Sequence, residues 1–371
     1  MKPISFAGAC LALSLSLHAQ AAPLALGKPG WRVLQASPGA DGTLCLAGQA
    51  ADPQGEGRTR GVLVLVSLAR EQVLWQQEVD APDAGAQLAF VGCHADGSTL
   101  YAAANAQVGG QARAYAYRFD EGGRVAGVKR LDSGPGEAWA YGIGGDAGGV
   151  VVAGMARETQ GQEEANGIFF ARLDPALRDA AIERLSSGAY LPGAAVRLGG
   201  NTMLVGGNFA AAHSARGTPA DDHAVSKLVG GKYRFSLRPL KLPAADVATA
   251  ISSAGELVSL GHAGKTSWLA TIGADGKPRD RLQFPSTFCA TGSMSADASA
   301  VYAVRALCGK EKEPAVLVAI DRRTGAEELV SGIVGEPVYV LALGPKLAVV
   351  ARRSNGSLLL QTVVKGQDPD A

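Results

Sequence analysis

Short apolar runs alternate along this chain with clusters of Gly, Asp, Asn and Ser, and no segment has the 3.6-residue periodicity of a helix longer than two turns. The longest apolar run in the body, GVLVLVSLA from Gly61 to Ala69, is too short to span a membrane. Nor does it alternate as a half-exposed strand does. Its echoes define it. LVSLA (Leu65 to Ala69), AYRFD (Ala116 to Asp120), FARLD (Phe170 to Asp174), VSKLV (Val225 to Val229), LATIG (Leu269 to Gly273), LVAID (Leu317 to Asp321) and LQTVV (Leu360 to Val364) end alike. Their fourth positions, Leu68, Phe119, Leu173, Leu228, Ile272, Ile320 and Val363, are 51, 54, 55, 44, 48 and 43 residues apart. A period of this size marks a repeat architecture.

A second series, LCLAG, LYAAA, VVVAG, MLVGG, LVSLG, VYAVR and LAVVA, runs ahead of the first and ends at Gly48, Ala104, Gly154, Gly207, Gly261, Arg305 and Ala351. Turn clusters such as ADGT, ADGS and DAGG precede its members and supply the positive φ of a tight hairpin. Each unit therefore reads as four antiparallel strands: an inner strand, the VVVAG strand, the FARLD strand and an outer strand. Four such strands per unit make a propeller blade, and the predicted fold class is an all-β, seven-bladed β-propeller. In a blade packed on both faces the middle strands need not alternate, so GVLVLVSLA reads as a buried blade strand. The seventh unit lacks an outer strand, because only KGQDPDA follows Val364. APLALGKPG, near the start, resembles the missing piece, so the N-terminal strand is expected to complete the last blade and leave no exposed sheet edge.

The first residues change the compartment. Lys2 leads into ISFAGACLALSLSL and then HAQAAP, where Ala19 and Ala21 form an A-x-A cleavage site. Residues 1–21 read as a bacterial Sec-type signal peptide, 22–364 as a single propeller domain, and 365–371 as a polar tail. A periplasmic or secreted chain is expected. Loss of Lys2 leaves 34 basic residues against 34 acidic ones, with no basic stripe to suggest nucleic acid. Once Cys10 departs with the signal, Cys45, Cys93, Cys289 and Cys308 remain. An even count in an oxidising compartment suggests two disulfides. Four Cys allow three pairings; the nearest-neighbour one joins Cys45 to Cys93 and Cys289 to Cys308.

GDAGGVVVAGMA followed by GIFFARLD, and AVLVAIDRRTGAEEL, resemble the repeats of exported bacterial β-propellers, including quinoprotein-like propellers and the outer-membrane assembly factor built on them. The resemblance is carried by strand and turn residues and implies fold, not function. The recurrent Trp of quinoprotein repeats is nearly absent: Trp75 falls where one would sit, and Trp31, Trp139 and Trp268 do not. No cofactor is expected.

Chemistry is sought on the face where the second and third strands of each blade are joined. Long connections are read in blade one (QAADPQGEGRTRG), blade three (MARETQGQEEAN) and blade four (NFAAAHSARGTPADDH), against HAGKT and RRSNG in blades five and seven. Long loops on a rigid scaffold commonly carry binding. The candidate rim is Asp52, Glu56, Arg58 and Arg60, then Arg157, Glu158, Glu163 and Glu164, then His213, Arg216, Asp221, Asp222 and His223. Two His and two Asp in the last group have metal-binding or acid–base chemistry. Their spacing matches no zinc signature and a solvated loop explains them as well, so no metal site is assigned. His94 and His262 read as turn or rim residues. GHAGKTS and GIGGDA open strands where a phosphate site needs a helix, and neither G-x-S-x-G nor H-E-x-x-H occurs, so no catalytic residue is assigned.

The leading reading is a non-catalytic, monomeric propeller that binds another envelope or secreted protein across this mixed-charge rim, as an envelope scaffold or an immunity-type inhibitor. The alternatives are a secreted hydrolase or lyase acting on a carbohydrate or ester at the channel mouth, and a small-ligand or sugar binder. The first alternative calls for a convergent pair of titratable groups with shifted pKa values. The second calls for rim aromatics, for which Trp139, Tyr190 and Phe209 are available.

Overall fold

The computed structural model describes residues 22–365 apart from 40–41, 52–57, 132–135, 147–148, 161–162, 189, 200–201, 210–221, 230–231, 238–245, 253, 274–276 and 311. These residues form seven four-stranded antiparallel sheets in chain order. The first comprises Trp31–Pro38, Thr43–Ala51, Thr59–Ser67 and Gln72–Val79, and the second Gln87–Asp96, Thr99–Val108, Gln111–Phe119 and Val125–Arg130. The third comprises Glu137–Asp146, Gly149–Gln160, Glu163–Leu173 and Ala180–Gly188, and the fourth Tyr190–Gly199, Thr202–Phe209, Asp222–Val229 and Lys232–Leu237. Asp246–Ile251, Leu257–Ala263, Thr266–Ile272 and Pro278–Pro285 build the fifth, and Phe288–Ala296, Ala300–Leu307, Val316–Asp321 and Glu327–Leu329 the sixth. The seventh takes Glu336–Leu343, Lys346–Arg352 and Leu358–Val364 from the end of the chain and Leu24–Leu26 from its beginning, with Leu24 opposite Leu360.

GVLVLVSLA supplies most of the third strand of the first sheet, and Gly61 to Val64 are buried in succession. The reason is packing on both faces. One apolar cluster joins Leu46 and Val64 of the first sheet to Val350 and Leu360 of the seventh, and another joins Cys45 and Leu63 to Phe90 and Tyr117 of the second. Similar clusters lie between the second and third, fifth and sixth, and sixth and seventh sheets. Burying a large aliphatic side chain contributes about 1.5–3 kcal/mol, so this sheet-on-sheet burial is the main cohesive term.

The first strands of successive sheets adjoin one another, and that of the seventh adjoins that of the first. In the first, second, third, fourth, sixth and seventh sheets this strand carries a register shift near its start, as between Ala140 and Gly142. Bulges of this kind sharpen local twist. Side chains of neighbouring sheets satisfy backbone groups along these strands: Asn105 donates to the Ala140 carbonyl at 3.0 Å and accepts from the Ala140 N–H at 2.7 Å. The Tyr339 hydroxyl accepts from the Ala36 N–H at 3.0 Å, linking seventh and first sheets.

Strand direction defines two faces. Each first strand starts, each second strand ends and each third strand starts on one face, hereafter the loop face. The tight hairpins between first and second strands lie on the other. The third sheet departs from the sequence reading here. MARETQGQEEAN is not a long loop: antiparallel pairing runs unbroken from Val150 and Leu173 out to Gln160 and Glu163. Continuing the ladder pairs backbone groups that a loop would leave to water.

Candidate functional site

The end of LVAID and its echoes is a turn device. Asp120 Oδ1 accepts from the N–H groups of Gly122 and Arg124, Asp174 Oδ1 from those of Ala176 and Arg178, and Asp321 Oδ1 from those of Arg323 and Thr324. Backbone donors hold Asp120 and Asp174 below the usual carboxylate range, and the Thr324 hydroxyl leads the same effect at Asp321. These carboxylates organise the connection between third and fourth strands, on the face opposite the loop face.

On the loop face, charges meet across strands. Arg157 stands opposite Glu137 and approaches it to 3.5 Å, with its guanidinium 5.3 Å from the Trp139 ring centroid. Arg352 and Glu336 repeat the arrangement at 3.7 Å in the seventh sheet. Each Glu also accepts a backbone N–H from the third strand of the preceding sheet, or the residue just before it: Ala112 for Glu137 and Ala315 for Glu336. Gly136 and Gly335, both at positive φ, precede the two acids and turn the chain into its next sheet. The Gly-Glu pair at a sheet entrance is the sequence signal for this latch.

Among the predicted rim residues, Arg60 lies 2.9 Å from Asp80 and 3.9 Å from Glu78, so its charge, like that of Arg157, has a partner within the protein. Arg58 is exposed just before the strand that holds Arg60. Glu158 lies opposite Ala165, Glu164 opposite Thr159 and Glu163 opposite Gln160 in the extended hairpin. Asp222 and His223 begin a strand, opposite Phe209 and Asn208. Asp52, Glu56, His213, Arg216 and Asp221 lie outside the described residues.

A more closely built cluster occupies the loop face between fifth and sixth sheets. His262, near the end of its strand, lies opposite Ser267 across a two-residue turn whose first residue, Gly264, has φ 62°. Far from standing at the rim, His262 is 7 % exposed. Its Nε2 is 3.0 Å from Cys289 Sγ and 3.8 Å from Cys308 Sγ, and its Nδ1 is 3.5 Å from Ser267 Oγ. Cys289 and Cys308 form a disulfide across the first two strands of the sixth sheet. The donor atoms of all three residues lie within 4.8 Å of one another, but in this state the sulfurs are joined and offer no thiolate to a metal.

Arg305 supports the cluster from behind. It is fully buried and donates to Ser267 Oγ at 3.0 Å, the Phe288 carbonyl at 2.6 Å and Ser286 Oγ at 3.2 Å, with an ion pair to Glu327 at 2.6 Å. Burial pulls its pKa down while Glu327 opposes that pull. Removing one partner from such a buried pair leaves an uncompensated charge, which costs about 3–5 kcal/mol.

The other disulfide, Cys45–Cys93, joins first and second sheets toward the opposite face, and both its residues are completely buried. Both bonds are the nearest-neighbour pairings.

This architecture is that of a β-propeller. The chain is similar to the β-propeller domain of the Trilobed protease from Pyrococcus furiosus, with a TM-score of 0.52 and 10% identity over 91% of this chain and 94% of that one. It is also similar to the acylaminoacyl peptidase of Pyrococcus horikoshii, with a TM-score of 0.50 and 8% identity over 90% of this chain. There it spans about half of the other chain, 52%. No family model matches the sequence, and no curated protein matches it. At these identities the likeness is one of fold.

Proposed function

We propose that this chain is an exported, non-catalytic propeller whose loop face binds another protein of the envelope or the extracellular space. In this reading the seven sheets are the blades of a closed ring, supported by the cyclic order of their first strands and by the pairing of Leu24 with Leu360.

The observation that carries the binding role is the inequality of the connections on the loop face. Residues 210–221 join Phe209 to Asp222 in the fourth sheet, whereas two residues join Ala263 to Thr266 in the fifth. Long connections between the strands of a rigid sheet scaffold commonly carry binding, and this connection is far longer than that of the fifth sheet. Of the carboxylates held low among the described residues, Asp120, Asp174 and Asp321 cap turns, and Asp297, which meets Lys365 and Tyr302, lies in a hairpin between first and second strands on the face opposite the loop face.

The test is capture of the mature chain from crosslinked cell envelopes, beside a variant in which residues 211–220 are replaced by a short Gly-Ser link. A single stoichiometric partner that disappears with the loop supports the proposal. Retention of that partner by the variant removes the loop from the site, and recovery of none by either protein favours the hydrolase reading. Sequencing of the exported chain from its N-terminus tests the compartment, with Ala22 expected as the first residue.

A further inference from the structure

We infer that Cys289–Cys308 is a redox-active disulfide that exchanges with dithiols, with His262 as the residue that stabilises the departing Cys289 thiolate. This goes beyond the binding role and does not depend on it.

The two disulfides of this chain occupy opposite environments. Cys45 and Cys93 are sealed between sheets with apolar neighbours such as Leu63 and Phe90. Cys289 and Cys308 are both partly exposed on the loop face, and the exposed Gly309 and Lys310 follow directly. An attacking thiolate can reach a sulfur only where solvent can, so access alone separates the pair.

The imidazole supplies the chemistry. A thiolate leaves faster the lower the pKa of its thiol, and a neighbouring imidazolium lowers that pKa. His262 Nε2 is nearer to Cys289 than to Cys308, 3.0 against 3.8 Å. Ser267 sets the ring. Its oxygen accepts from Arg305 and lies 3.5 Å from His262 Nδ1, on the side of the ring away from the disulfide, so Nε2 is the ring nitrogen that faces the sulfurs. The position of His262 thus makes Cys289 the leaving sulfur and Cys308 the attacked one.

One thiolate of a dithiol reductant attacks Cys308 Sγ, the disulfide breaks, and Cys289 leaves with the electron pair beside the imidazole Nε2–H. The second thiol of the reductant, deprotonated, attacks its own sulfur in the mixed disulfide and releases Cys308. The dithiol is oxidised to a disulfide, and Cys289 and Cys308 gain two electrons and two protons. The reverse sequence oxidises a dithiol partner.

The experiment reduces the folded, mature chain with dithiothreitol in the presence of EDTA, which keeps metal away from the freed sulfurs and His262, and follows each disulfide by alkylation and mass spectrometry. Cys289–Cys308 is expected to open at least about a hundredfold faster than Cys45–Cys93, and His262→Gln to slow that opening at least about tenfold. Circular dichroism of the oxidised variant checks that it folds. Independently of that variant, Cys289 in a Cys308→Ser chain should react with iodoacetamide at least about tenfold faster than Cys308 in a Cys289→Ser chain. Opening of both disulfides only on global unfolding, or equal reactivity of the two single cysteines, would overturn the proposal.

Discussion

Leu24 stands opposite Leu360 in an antiparallel register, so the first described strand of the chain is the outer strand of its last sheet. Leu26, at the end of this short strand, is buried against the seventh sheet and joins the cluster that contains Trp31 and Val64 of the first. The strand is a tie between the two ends of the chain.

Leu26→Ala should therefore destabilise the whole domain and not merely fray its terminus. The expected loss is about 2–5 kcal/mol, the range for a buried leucine that leaves a cavity. Urea unfolding followed by tryptophan fluorescence measures it; an unchanged midpoint would mean that the strand contributes nothing to the fold.

Asn105 uses both ends of its amide on Ala140 of the next sheet. Replacement by Ala leaves a donor and an acceptor without partners, at a cost of about 1–3 kcal/mol. Asn105→Asp can accept from the N–H but cannot donate to the carbonyl. In the same unfolding assay it should lose stability as well, and a neutral effect of both substitutions would count against a stabilising role for the Asn105–Ala140 bonds.

The disulfides should contribute unequally to stability. Cys45 and Cys93 are 48 residues apart and Cys289 and Cys308 are 19. A larger closed loop restrains the unfolded chain more, by about 1 kcal/mol for these lengths. Comparing thermal midpoints of Cys45→Ala/Cys93→Ala and Cys289→Ala/Cys308→Ala tests this. The first pair should be the more costly, the more so because its site is fully buried.

Asp297 predicts a response to acid. Burial pushes its carboxyl pKa up, but the bond from Lys365 and the N–H groups of Ala300 and Ser299 outweigh that push and hold it well below the usual range. A carboxyl depressed on folding contributes stability that is complete above its unfolded value and is lost as pH falls through the folded one. Stability should therefore decline from the ordinary carboxylate range downward, and Asp297→Asn should be less stable at neutral pH yet lose less on acidification. Guanidinium unfolding between pH 6 and about 2.5 resolves the two curves.

Much of this was legible in the chain. GVLVLVSLA locates a strand because it packs against the seventh sheet on one face and the second on the other, a condition that writes a continuous apolar run directly into sequence. The Asp that closes AYRFD, FARLD and LVAID caps the following turn through bonds to residues two to four places on, a device that needs no contact from another sheet. Other features had no such signal. MARETQGQEEAN has the polarity of a loop, and only the pairing of Gln160 with Glu163 makes it a hairpin. Arg305 ends an apolar run as an exposed strand terminus would, yet it is fully buried by groups from two sheets.

What the sequence by itself determined is the repeat: strand, turn and spacing are set by neighbours within a few residues, and a period near fifty residues repeats that local logic until the sheets follow. The tertiary structure alone decided which side chains meet between sheets. His262 touches Cys289 across 27 positions and Ser267 touches Arg305 across 38, because packing angle and bulge position, not sequence distance, bring those atoms together. An imidazole beside a disulfide is a property of that packing, since no local pattern places a ring from one sheet against the sulfur of the next.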